Sequence, residues 1–220
     1  MRQSISTSIW LLTLVAFSGV LAQVPFPGQC PEVKIMDEFD VNAYMGIWYE
    51  HSKYPFAFEL GKKCIYASYE IVDNTTVSVV NSAINRFTGK STNVTGTAKV
   101  IAPAQLAVSF SKNQVVSKPN YLVLGTDYES YAVVYSCNSL TPLAHLKIVW
   151  ILTRQREPTV ESIDAAHKIL DDNKISQAML IDTLQKNCPQ LEGNATDSAL
   201  MQLEEDDFDI NAVHEAIEKA

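Results

Sequence analysis

The residues with chemistry to offer are four cysteines, four histidines and a tryptophan set two places after a glycine. His51, His145, His167 and His214 are scattered without the short spacings that hold a metal ion. No Ser-His-Asp set and no pair of carboxylates presents itself for nucleophilic or acid–base work. Cys30, Cys64, Cys137 and Cys188 are an even number, which in an oxidising compartment reads as two disulfides. Four cysteines allow three pairings, and the spacing does not choose between them. In Gly46-Ile47-Trp48, the glycine permits close backbone approach, and Trp48 points to the same strand face two residues on. This is an inventory for building a binding site rather than for catalysis.

The compartment follows from the first 22 of the 220 residues. Arg2 opens a short polar region, Ile9 to Val20 is apolar, and Val20-Leu21-Ala22 reads as a cleavage site. We therefore expect a signal peptide over 1–22, a mature chain starting at Gln23 and a secreted, extracellular protein. An uncleaved anchor is the alternative, but the apolar run is short for a bilayer. Residues 23–190 hold 15 Lys and Arg against 16 Asp and Glu, whereas 191–220 hold one Lys and nine acids. Nothing basic enough to attract nucleic acid stands out.

Those residues must be positioned by strands. Pro25, Pro27 and Pro31 make 23–37 an extended arm rather than an element, and 39–44 reads as a short helical turn. Strand-like runs bounded by turn residues then recur over 46–52, 64–72, 76–84, 93–100, 105–111, 121–126, 131–137 and 146–153. Eight short-linked strands predict an all-β fold, an antiparallel up-and-down barrel with room for one small ligand. After Pro158, Thr159 caps a helix whose apolar face is Val160, Ile163, Ala166 and Leu170, packed outside the barrel. An arm over 174–189 follows. Residues 191–220 read as an acidic, disordered tail, with a short helix over 209–219 as the alternative.

Gly46-x-Trp48-Tyr49-Glu50 resembles the first signature region of the lipocalins, Thr126-Asp127-Tyr128 the second, and Trp150-Ile151-Leu152-x-Arg154 the third. Phe39-Asp40-Val41-Asn42, Tyr135-Ser136-Cys137 and Asn187-Cys188-Pro189 extend the match over about 28–190, nearest the apolipoprotein D, Lazarillo and insect bilin-binding branch. The resemblance implies that Arg154 stacks on Trp48 across the closed end, worth about 0.5–2 kcal/mol. It implies the pairings Cys30–Cys137 and Cys64–Cys188. It also implies that the loop carrying Tyr54, Phe56 and Phe58 is a lid over the open end. One lipocalin branch does chemistry with a free cysteine inside the barrel; here all four cysteines match disulfide positions, so an enzyme is not expected. Apolipoprotein D has a large aromatic where Leu122 stands, and Ser139 replaces a further cysteine, so neither its ligand nor a disulfide-linked partner carries over.

Alternation nominates the inward wall: Tyr69; Val79, Asn81 and Ala83; Leu106, Val108 and Phe110; Leu122 and Leu124. Such a wall suits a small hydrophobic ligand, which the resemblance narrows to a fatty acid, sterol-like or retinoid compound, with protection against lipid oxidation as a role. Biliverdin carriage is one alternative, and action through the surface as a receptor ligand or inhibitor another. No cofactor is required beyond a bound lipid or biliverdin, no metal is expected, and the lid offers a peripheral membrane or receptor contact. Sequons at Asn74, Asn93 and Asn194 predict glycosylation.

Overall fold

The computed structural model describes residues 25–111 and 116–191. The expected signal peptide, the acidic tail and Asn194 lie outside the described residues. Strands β1 (Pro25–Pro27), β2 (Gly46–Lys53), β3 (Lys62–Ile71), β4 (Thr76–Asn85), β5 (Ser91–Ala102), β6 (Gln105–Ser109), β7 (Tyr121–Thr126), β8 (Tyr131–Thr141), β9 (Ala144–Thr153) and β10 (Ile181–Asp182) form one antiparallel sheet. Neighbours β2 to β9 pair in sequence order, and β9 pairs back onto β2, closing an eight-stranded barrel. Closure satisfies every edge that eight half-buried strands would otherwise expose. The expected meander is therefore what the chain forms.

Two short strands were not expected. Pro25–Pro27, read from its prolines as an unpaired arm, lies against the start of β9, with Phe26 opposite His145. Prolines are tolerated there because the strand is at an edge. Ile181–Asp182 pairs with the end of β2. The segment after it straps the wall: Thr183 N–H donates to His51 O, Leu184 O accepts from Cys64 N–H, and Cys188 is bonded to Cys64.

The helix α1 (Val41–Tyr44) leads into β2 and is capped by Asp40, whose Oδ1 accepts from the Asn42 and Ala43 N–H groups at 2.8 and 3.2 Å. Helix α2 (Val160–Asp172), capped by Thr159, packs on the outer wall. Between them lies a second core: Leu124, Val133, Tyr135, Val149 and Ile151 from the wall against Ala166, Leu170 and Ile175. Gly125 makes the approach close, since a Cβ there would fall 2.3 Å from Ile169 Cδ1.

Candidate ligand-binding site

The floor of the barrel joins the start of β2 to the residue that follows β9. Trp48 is fully buried and donates its indole N–H to Tyr44 O at 2.8 Å. The Arg154 guanidinium lies over the indole, 3.8 Å from the ring centre. Its Nε, Nη1 and Nη2 donate to the carbonyls of Tyr128, Ile47 and Ala43 at 2.9, 2.9 and 3.0 Å. Gly46 adopts a φ of +91°, and a Cβ there would sit 3.3 Å from Nη1. That is the physical need behind the Gly-x-Trp pattern. Thr126 Oγ1 donates to Tyr131 O, and Asp127 Oδ1 accepts from three backbone N–H groups. Partial burial alone would raise the Asp127 carboxyl, but the Ser130 hydroxyl and those N–H groups hold it below its ordinary value. Tyr128, at a φ of +67°, turns its hydroxyl to accept from Asp40 N–H at 3.0 Å.

Above this floor the wall faces inward with Tyr69, Val77, Val79, Ala98, Leu106, Val123, Val134 and Leu152, all buried. Higher up, Val108, Phe110, Tyr121 and Trp150 pack on the same inner cluster yet are only half-buried. These four residues keep part of their surface accessible. Asn81 and Ala83 share the face of Val79, and Asn81 lies opposite Ala67 of that cluster.

Two nominated lining residues are not there. Leu122 and Leu124 belong to the outer core under α2, and their neighbours Tyr121 and Val123 face inward instead. Both faces of β7 are covered, so its alternation of large apolar residues carried no direction. Tyr54 is not on a lid either. It is 1% exposed on the outer side of the barrel, and its hydroxyl donates to Ser176 O at 2.6 Å. The loop that follows keeps Phe56 and Phe58, their rings 5.0 Å apart, with Phe56 preceding and Phe58 within the single turn Ala57–Glu59 at the open end.

Beside the nominated Tyr69, polar groups that alternation did not nominate also face inward. Tyr121 Oη lies 2.8 Å from Tyr44 Oη and 3.0 Å from Tyr69 Oη, linking three phenols inside the wall. Burial pushes the Tyr69 hydroxyl up to about 12 and the other two well above their ordinary value, so all three stay neutral. Glu50 and Lys53 pair across from Leu152 and Trp150, hence on the inner face, because a bulge at His51 adds one residue between them. Lys53 Nζ lies 2.6 Å from Glu50 Oε1 and also pairs with Glu59 of the loop turn, while the Thr183 hydroxyl donates to Glu50. Desolvation, then the Glu59 charge, pushes the Glu50 carboxyl up to about 8 against the pull of Lys53. Glu50 shares the parity of Trp48 and was legible on that ground; Lys53 was hidden by the bulge.

The disulfides are Cys30–Cys137 and Cys64–Cys188, and no described cysteine is free. Among the described residues no group of three or more histidines, cysteines and acids is arranged to hold a metal ion. Asn74 is exposed in the turn opened by Asp73, and Asn93 is exposed on β5.

A model of the lipocalin-like domain matches residues 39–185. The chain belongs to the lipocalins. Rabbit (Oryctolagus cuniculus) apolipoprotein D is 36% identical over 190 residues, covering 82% of this chain and 97% of that protein. The bilin-binding protein of Pieris brassicae is 32% identical over 165 residues, covering 73% and 86%. Among solved structures, insecticyanin from the tobacco hornworm Manduca sexta matches with a TM-score of 0.65 at 27% identity, over 73% of this lipocalin and 88% of that chain. Similarity to apolipoprotein D and to the bilin-binding protein over most of their length makes the chain a binding protein rather than an enzyme, and it needs no cofactor to bind.

Proposed function

We propose that this lipocalin is a secreted carrier that holds one small hydrophobic molecule in its barrel. The observation that carries the reading is the half-buried inner ring of Val108, Phe110, Tyr121 and Trp150 above a sealed floor. Tyr69, Val79, Asn81, Ala83 and Leu106 complete the lining, with Phe56 and Phe58 as the lid. A ligand burying about ten methylene-sized groups gains roughly 8 kcal/mol, which corresponds to about micromolar affinity before ordering costs. A fatty acid, sterol-like or retinoid compound fits such a wall, and sequestering an oxidisable lipid there would protect it. Residues 1–22 serve as the signal peptide, 23–190 as the carrier domain, and the mature protein carries glycans at Asn74, Asn93 and Asn194. Loading through the lid at a membrane or receptor belongs to the same reading.

A second reading, biliverdin carriage, is favoured by similarity to a bilin-binding protein. Titrating the delipidated protein with retinol or a fluorescent fatty acid while following tryptophan emission tests the first. Saturable one-to-one quenching, abolished by Val108→Arg, is expected. Non-saturating binding, or binding indifferent to Val108→Arg, would contradict it. Absorption in the red after reconstitution with biliverdin would shift the reading to the pigment.

A further inference from the structure

Apolar side chains are exposed at the floor end of the barrel. Val72 is 62% exposed and Ile71 and Ile101 46% each, where β3 and β5 come down to their turns. Beside Ile71 a cleft of about 320 Å³ opens between α1 and the β3–β4 turn. Small-molecule sites span about 300–1,000 Å³, so this one has room for a single ring. Val41 and Asn42 of α1 line one side of it, and Ile71, Asn74, Thr75 and Val100 line the other. The turn is tied down. Asp73 Oδ1 accepts from the Thr75 N–H at 2.8 Å and from its hydroxyl at 3.1 Å. Val72 N–H donates to Thr76 O, and Val100 N–H donates to Thr75 O, each at 2.9 Å, the second fastening the turn to the end of β5. Asn74, in the middle of that turn, heads the sequon Asn74-Thr75-Thr76. Whatever its amide carries is therefore held at the cleft.

We propose that the first sugar of an N-glycan on Asn74 seats in this cleft and braces α1 against the β3–β4 turn. The inference rests on the reading that the chain is secreted and glycosylated. An N-acetylhexosamine presents C–H faces and an acetyl methyl together with hydroxyls and an amide. Val41, Ile71 and Val100 suit its apolar faces, and Asn42 and Thr75 offer partners to its amide and hydroxyls. A free sugar would hold such a cleft weakly. Attachment to Asn74 makes the contact intramolecular, which removes most of the cost of association. The consequence reaches the floor. Helix α1 has only four residues, too few to persist alone, and Tyr44 at its end accepts the Trp48 indole N–H. Asn93 is the natural comparison. It stands on the outer face of β5 among Ser91, Thr95 and Thr97, all exposed and polar, which give a sugar's C–H face nothing to pack on.

The test uses the full chain secreted from a glycosylating host, with Asn74→Gln and Asn93→Gln beside it. Hydrogen exchange at the Tyr44, Met45 and Val100 amides should be about tenfold faster in Asn74→Gln than in the parent and unchanged in Asn93→Gln. The Tm of Asn74→Gln should be lower by about 2–4 °C. Trimming the parent's glycans to a single N-acetylglucosamine should leave both readouts where they are, because the first sugar makes the contact. In an Ile71→Ser background, removing the Asn74 glycan should cost less than half as much. Equal effects of Asn74→Gln and Asn93→Gln, α1 amides indifferent to an occupied Asn74, or a full-sized loss in the Ile71→Ser background would each overturn the docking while leaving glycosylation intact. Dimers of the glycosylated parent that Ile71→Ser dissolves would give the cleft to a second copy of the chain. An unmodified Asn74 in the secreted protein would overturn the glycosylation reading and this inference with it.

Discussion

Arg154 reaches Trp48 across 106 residues of sequence and closes the barrel floor with a cation–π contact of 3.8 Å and three carbonyl hydrogen bonds. The guanidinium suits this place because its fork can serve three carbonyls while its plane rests on the ring.

Arg154→Ala should cost about 2–4 kcal/mol in urea unfolding, from lost charge-assisted hydrogen bonds and the stacking. Arg154→Lys should recover less than half of that, since one ammonium cannot serve all three carbonyls. Equal stability of the Lys variant and the parent would show that charge alone matters here.

Glu50 supplies a pH dependence. Its folded value of about 8 lies above its ordinary 4.5, so the folded state holds the proton more tightly. That contribution is complete below about pH 4.5 and is lost as pH rises through 8, by up to about 1.4 kcal/mol per unit. The ionised form sets a second carboxylate beside the Lys53–Glu59 pair. Denaturation midpoints at pH 5 and pH 8 should fall more steeply for the parent than for Glu50→Gln. An identical decline in both would remove Glu50 as the cause.

Much of this is legible in the sequence. The eight strands and the outer helix each have a local signal, alternation and a Thr cap before an apolar stripe, whereas the floor pair was legible only through the resemblance to the lipocalin signature regions. Alternation failed where its physical basis fails. Leu122 and Leu124 lie under α2 while Tyr121 and Val123 lie inside, so apolarity says nothing about direction on β7. Tyr54 looked like a lid residue for its company, yet the strap and α2 give it a buried place outside. The bulge at His51 turned Lys53 inward against simple counting.

Two glycines separate packing from binding. At Gly96 a Cβ would fall 2.5 Å from Ser109 O and 2.6 Å from the Phe110 ring, which faces the interior. At Gly125 the clash is with Ile169 on the outside. Each alanine variant should lose about 1–3 kcal/mol. Only Gly96→Ala should weaken binding of an apolar fluorescent probe, because it displaces Phe110. Equal binding losses would place the probe outside the barrel.

Cys64→Ser/Cys188→Ser should free the strap. The disulfide closes a separation of 124 residues, worth up to about 4–5 kcal/mol in the chain-entropy picture. Gln185, whose amide donates to Glu50 O and Ile65 O, should lose its place with it. Limited proteolysis should then cut first within 181–188; unchanged resistance there would show that the polar contacts hold the strap alone.

The carrier reading stands most directly on what the barrel holds when the protein is purified. Native mass spectrometry of the secreted protein, with an absorption spectrum of the same sample, should give one small hydrophobic molecule per chain. A protein that emerges empty and takes up no lipid, retinoid or biliverdin afterwards would contradict it.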